Sequence, residues 1–206
     1  MATDATIETT RRRHLKVPDS LIYEVLGRRT LYYKGYKDVV TGLKTPEDIM
    51  GCSDIQALVV STLHGHLYGL IDRKTYWLTT NESGLTIPEV GRLANDIAIF
   101  NRESIPELRG KYFRTPPKVV IEVDVKADIS LDVYPAGEQD YVFDKTDKLL
   151  DFGVERVIWF TTKSKKTFIA TKGEKWVVQT WDDDVLIMDG CVLNLTQLLH
   201  EEGILF

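Results

Sequence analysis

Residues 119–126 read Val-Val-Ile-Glu-Val-Asp-Val-Lys. Successive side chains of a β-strand point to opposite faces. As a strand, this octet puts Val119, Ile121, Val123 and Val125 on one apolar face. Glu122, Asp124 and Lys126 stand in a row on the other. Residues two apart on a strand lie ~6.5 to 7 Å from each other, so two acids and an amine can share one site. A solvated sheet edge would show the same row, and the surrounding sequence decides between the two.

Working outward, the segments TYWLTT (75–80) and DIAIF (96–100) have the composition of strands. Asp96 shares a side with Ala98 and Phe100, opposite Ile97 and Ile99. The separation of 124 − 96 = 28 residues leaves room for an antiparallel return that brings Asp96 beside the octet. Upstream, Ser53 followed by Gln56 forms a capping box, and Ile55, Leu58, Val59, Leu63, Leu67 and Leu70 recur at helical spacing. These predict an amphipathic helix over 54–71. A second helix is predicted over 138–152, closed by Gly153. Its residues Val142, Lys145, Leu149 and Phe152 form one stripe. Lys145 thus sits in an apolar stripe that should face the sheet, either snorkelling from its edge or aimed at the carboxylates. ERVIWFTT (155–162) follows as a strand, so the helix can serve as the crossover to a parallel neighbour. Hairpins are predicted over 21–35, turning at Gly27, and over KTFIAT and KWVVQTW. The fold class is α/β, a mixed sheet flanked by helices.

The 206 residues suffice for one domain over 19–206 behind a flexible polar tail over 1–18, with arginines at 11 to 13. No apolar run is long enough to span a bilayer and no secretory h-region opens the chain, so a cytoplasmic protein with no membrane partner is expected. Cys52 and Cys191 read as small buried hydrophobes of a reducing compartment. The net charge of −5 argues against a basic coat protein but leaves room for a local basic cleft. One such stretch is LRGKYFRTPPK, carrying Arg109, Lys111, Arg114 and Lys118. His64 and His66, two apart on a helix, do not share a face and do not suggest zinc.

Mg²⁺ takes oxygen ligands and is commonly held by one or two carboxylates with water and substrate phosphate. Carboxylates on rigid strands beside a lysine meet that need. The pattern Asp96 … Asp124-Val125-Lys126 resembles the PD-(D/E)XK motif of restriction-endonuclease-like proteins. More narrowly, the chain is similar over roughly residues 20 to 180 to the bacterial Uma-type family, formerly a domain of unknown function. The similarity rests on YEVLG (23–27), NDIAIF (95–100), PPKVVIEV (116–123), KTDKLLDFGV (145–154) and ERVIWF (155–160). It implies a restriction-endonuclease-like core of order αβββαβ with extra N-terminal and C-terminal β-hairpins. It implies a Mg²⁺- or Mn²⁺-dependent endonuclease acting on DNA. Asp96, Glu122 and Asp124 would then hold the metal. Lys126 would orient or activate water, Lys145 would support the phosphate or the acids, and Glu24 is a further candidate acid. Two assignments stay open. Either Asp124-Val125-Lys126 is the motif and Glu122 is extra, or Glu122 is the ligand and the lysine role has moved two places. The other readings are a catalytically inactive binding module on the same fold and a purely structural charged strand face. A homodimer formed through the extra hairpins is also expected.

Overall fold

The computed structural model describes residues 16–205, so the predicted tail lies, up to residue 15, outside the described residues. Two sheets meet at the acidic segment. The larger has six strands: β3 (Tyr76–Thr79), β6 (Ile97–Asn101), β7 (Val119–Val123), β8 (Arg156–Thr161), β9 (Lys166–Thr171) and β10 (Val177–Thr180), in the order β10-β9-β8-β7-β6-β3. The smaller is β2-β1-β5-β4, from β1 (Ile22–Leu26), β2 (Arg29–Tyr32), β4 (Ser83–Ile87) and β5 (Gly91–Asn95). A separate hairpin joins β11 (Asp184–Met188) to β12 (Cys191–Asn194). The helices are α1 (Tyr36–Val40), α2 (Glu47–Met50), α3 (Asp54–Leu70), α4 (Glu138–Phe152) and α5 (Leu195–Glu201).

The first five residues of the octet form the central strand β7, and all five are buried. It runs antiparallel to β6 and parallel to β8, with α4 as the crossover between β7 and β8. A strand covered on both faces reads as a continuous apolar run, which suits VVIEV. On one face Val119, Ile121 and Val123 pack with Val59, Leu63 and Leu67 of α3 and with α5. On the other, Val120 packs with Tyr141 and Leu149 of α4 and with Leu26, Leu85 and Leu93 of the small sheet. Each fully buried Leu or Val contributes about 1.5 to 3 kcal/mol, so both faces hold β7 firmly in register.

The chain crosses from the small sheet to the large one between Asn95 and Ile97, at Asp96. β5 can lie close to β1 because of Gly91, whose φ is 141° and where a Cβ would overlap the Val25 carbonyl oxygen. The strands β4 and β5 were not expected from the sequence. SGLTI and GRLAN are short, weakly apolar and glycine-bearing, so neither carries a clear period-2 pattern. No helix among the described residues is long and apolar enough to cross a membrane.

Candidate active site

Asp96 lies immediately before β6, whose Ile97 pairs with Ile121 of β7, and Glu122 is the next residue of β7. Two acids, one from the β5–β6 link and one from β7, are thus located near the junction of the two sheets. Both are buried, at 4% and 2% exposure.

Around them are two acid–lysine units. The inner one is fully enclosed. Lys145, on α4, places Nζ 2.7 Å from Glu24 Oε1 and 3.0 Å from Glu122 Oε1. It also donates to the Ala94 carbonyl at 2.8 Å. The Ala94 N–H donates to Glu24 Oε1 at 3.0 Å, and the Tyr141 hydroxyl to Glu24 Oε2 at 2.7 Å. Trp159 forms one wall, with the Lys145 ammonium 5.6 Å from its ring centre. Lys145 therefore does not snorkel; it is 0% exposed.

The outer unit is Asp96, Lys126 and Glu82. Asp96 Oδ2 accepts the Val123 N–H at 2.8 Å, and Oδ1 lies 2.7 Å from Lys126 Nζ. Lys126 reaches Glu82 Oε1 at 2.9 Å. A groove of about 510 Å³ opens over this unit, bounded by Gln56 and His64 of α3, by Asn81 and Glu82, and by Asp96 and Lys126.

Asp124 does not join either unit. β7 ends at Val123, and Asp124 turns to φ 58° while its N–H still donates to the Phe160 carbonyl. Aspartate tolerates this left-handed conformation better than most residues. Its two carboxylate oxygens accept the Thr162 N–H at 2.8 Å and the Thr162 hydroxyl at 2.6 Å. The expected row of Glu122, Asp124 and Lys126 on one face is thus broken in its middle. Lys126 returns to the site beyond the turn. Of the two candidate acids, Glu122 lies in the inner unit and Asp124 ties β7 to the end of β8.

Three contributors were not anticipated. Glu82 follows Asn81 in a turn where φ is 64° and 53° at successive non-glycine residues, a costly conformation that aims its carboxylate at Lys126. Gln56 satisfies the Ser53 cap through its backbone N–H at 3.2 Å, but its side chain crosses to the Val123 carbonyl at 2.5 Å. Tyr141 is the third. A carboxamide buried at a helix start is the only one of these with a local sequence signal, and the capping box accounted for it.

Electrostatics separate the groups. Burial pushes Glu122 up to about 8; Lys145 opposes this, and Asp96 and Glu24 add to it. Burial works to lower Lys145, but Glu122 and Glu24 prevail and hold its ammonium above the usual lysine range. Lys126 is likewise raised, the cost of burial being outweighed by Asp96 and then Glu82. Both lysines are therefore cations at neutral pH. Glu122 Oε1, although close to Lys145, is not aligned for a hydrogen bond and has no other partner.

A raised acid pKa favours the folded state when the group is protonated. The Glu122 contribution is fully present below its ordinary value of 4.5 and is lost as pH rises towards about 8. In metal-free protein this adds a decline of up to about 1.4 kcal/mol per pH unit across that window. Urea denaturation at several pH values should show the decline in wild type and its absence in Glu122→Gln. Parallel curves for the two proteins would place the titration elsewhere.

Among the described residues, no three His, Cys, Asp or Glu side chains lie close enough to form a ready-made metal group. Mg²⁺ needs fewer, completing its shell with water and phosphate. Asp96 and Glu122 fit that demand in kind: both are buried carboxylates, and one buried oxygen, Glu122 Oε1, lacks a hydrogen-bond partner.

No family model and no curated protein matches this sequence. Among solved structures, the chain is similar to one from Anabaena variabilis ATCC 29413, described as "a putative nuclease belonging to DUF820". The identity is 15%, the TM-score 0.60, and the match covers 86% of this chain and 89% of that one. At that identity the likeness speaks for the fold alone, and the fold of this chain is a mixed α/β arrangement similar to that structure.

Proposed function

We propose that this chain is a Mg²⁺- or Mn²⁺-dependent endonuclease that hydrolyses phosphodiester bonds in DNA on a restriction-endonuclease-like core. The observation that carries the reading is the burial of Asp96 and Glu122 near the junction of the two sheets, with Asp96 bound to a cationic lysine in the lining of a groove. Asp96 and Glu122 would hold the ion. Such an ion lowers the proton affinity of bound water and neutralises charge on the phosphate.

The remaining roles fall to the chain's own groups. Lys126 stays protonated, so it cannot take a proton from water. Its ammonium instead stabilises negative charge building up on a phosphate in the groove. Lys145 cannot reach substrate from its enclosed position; it fixes Glu122 and Glu24, and through Ala94 the strand that leads to Asp96. Gln56 and the Val123 N–H hold the end of β7 against α3 and Asp96, which fixes the Asp96 carboxylate on the residue that follows Glu122 in β7.

A direct test is incubation of supercoiled plasmid, linear duplex and single-stranded DNA with Mg²⁺ or Mn²⁺, with chelator as control. Metal-dependent strand scission is expected. A second reading, an inactive binding module on the same fold, is favoured by one observation: Asp96 already has Lys126 and Val123 as partners. Binding of nucleic acid without cutting under either ion would select it.

A further inference from the structure

The segment 108–118 contains four basic residues and no acidic one, in a chain whose net charge is −5. Arg109, Lys111 and Arg114 are all exposed. Among the described residues, neither Lys111 nor Arg114 has an ion-pair partner, while Arg109 has Glu107 at 3.5 Å. Lys118 pairs with Glu155 and is set aside.

This loop is anchored. The Phe113 N–H donates to the Gly84 carbonyl at 2.9 Å, and the Thr86 N–H to the Phe113 carbonyl at 2.8 Å. Phe113 stacks on Phe100 with ring centres 4.2 Å apart. The chain is thereby pinned beside β4, with its cations turned outward.

Tyr112 gives the loop a second feature. A Cβ at Gly84 would lie 2.6 Å from Cγ, Cδ1 and Cε1 of Tyr112 alike, so the ring lies with its face on the glycine. Any other residue at 84 would displace it. The tyrosine is nevertheless 52% exposed, which leaves the outer side of the ring open. A flat aromatic surface between cations is the arrangement that stacks a base and tracks a phosphate backbone.

The platform is also close to the acids. Gly84 pairs with Ala94, whose N–H and carbonyl both bind the inner acid–lysine unit. Two residues before Gly84 is Glu82 of the outer unit. The Tyr33 hydroxyl, which donates to Glu82, is raised by burial and then by Glu82, with a smaller part from Tyr112.

We infer that the loop 108–114 is a contact surface for a nucleic-acid strand entering the site. Arg109, Lys111 and Arg114 take the phosphates, and an unstacked base lies on Tyr112. The inference rests on the nuclease reading but goes beyond it, because it names a surface that the chemistry itself does not require.

The test is binding of fluorescent single-stranded and duplex oligonucleotides to the full chain, in chelator so that nothing is cut, over a range of salt concentrations. Neutralising the loop with Arg109→Gln, Lys111→Gln and Arg114→Gln together should lower the slope of log affinity against log salt by about 2 for single strands. Tyr112→Ala should weaken single-strand binding by about tenfold, and Tyr112→Phe should restore it. Circular dichroism confirms that the variants fold; these side chains are on the surface, and the charge variant stands alone if Tyr112→Ala does not fold. Wild type that binds while the charge variant keeps the full slope overturns the loop assignment and leaves the nuclease reading standing. Wild type that binds no nucleic acid at any salt overturns both.

Discussion

Lys145→Met should cost on the order of 3 to 5 kcal/mol of folding stability at pH 7, the range for removing one partner of a buried ion pair. The side chain is fully enclosed, with a carboxylate oxygen at 2.7 Å and another at 3.0 Å. Methionine fills similar space, so the loss is electrostatic rather than a cavity. It leaves Glu24 and Glu122 facing each other without a cation. Glu122, whose burial already pushes it up to about 8, then takes a proton more readily, and the loss shrinks as pH falls. Adding Glu122→Gln to Lys145→Met should recover part of the stability. Urea titrations of the four proteins in the cycle measure this. A loss below about 1 kcal/mol would mean that Lys145 is not the keystone of the inner unit.

The largest functional effect is expected at Asp96. Asp96→Asn keeps the shape and can still accept the Val123 N–H, but it removes one of two charges that would hold the ion. It also leaves Glu82 as the acid partner of Lys126. Cleavage should fall by at least roughly 10²-fold, comparable to removing a key electrostatic group in other enzymes. Asp124→Asn is the informative partner. Its carboxylate binds Thr162 and lies outside the cluster, so it should retain most activity and show its effect in stability. Rates measured on one plasmid substrate with both variants separate the two acids. Equal loss in both would return Asp124 to the site.

The contrast between these acids shows where the sequence was readable. The α4 stripe placed Lys145 correctly because it needed only a helical period over residues that do form an unbroken helix, Glu138–Phe152. Asp96 could be brought to β7 because an antiparallel return constrains register strongly. Alternation failed at Asp124 because it presumes a continuous strand, and one left-handed residue ends it. Nothing local announces that turn; the pull comes from Thr162, across a parallel strand pair. Glu82 was invisible for a related reason: its role depends on β4 and β5 forming a second sheet, and SGLTI and GRLAN have no pattern strong enough to predict one. Glu24 lay within a readable strand, yet its burial depends on α4 folding over it. Residues whose partners come from one element or one register were legible. Those set by a turn or by the meeting of two sheets were not.

The central claim is that Asp96 and Glu122 form a divalent-cation site, and titration of metal-free protein with Mn²⁺ by calorimetry tests it most directly. The account predicts uptake by wild type and by Asp124→Asn, with loss in both Asp96→Asn and Glu122→Gln. Absence of uptake by wild type in the presence of a short DNA strand, or uptake unchanged in both site variants, would contradict it.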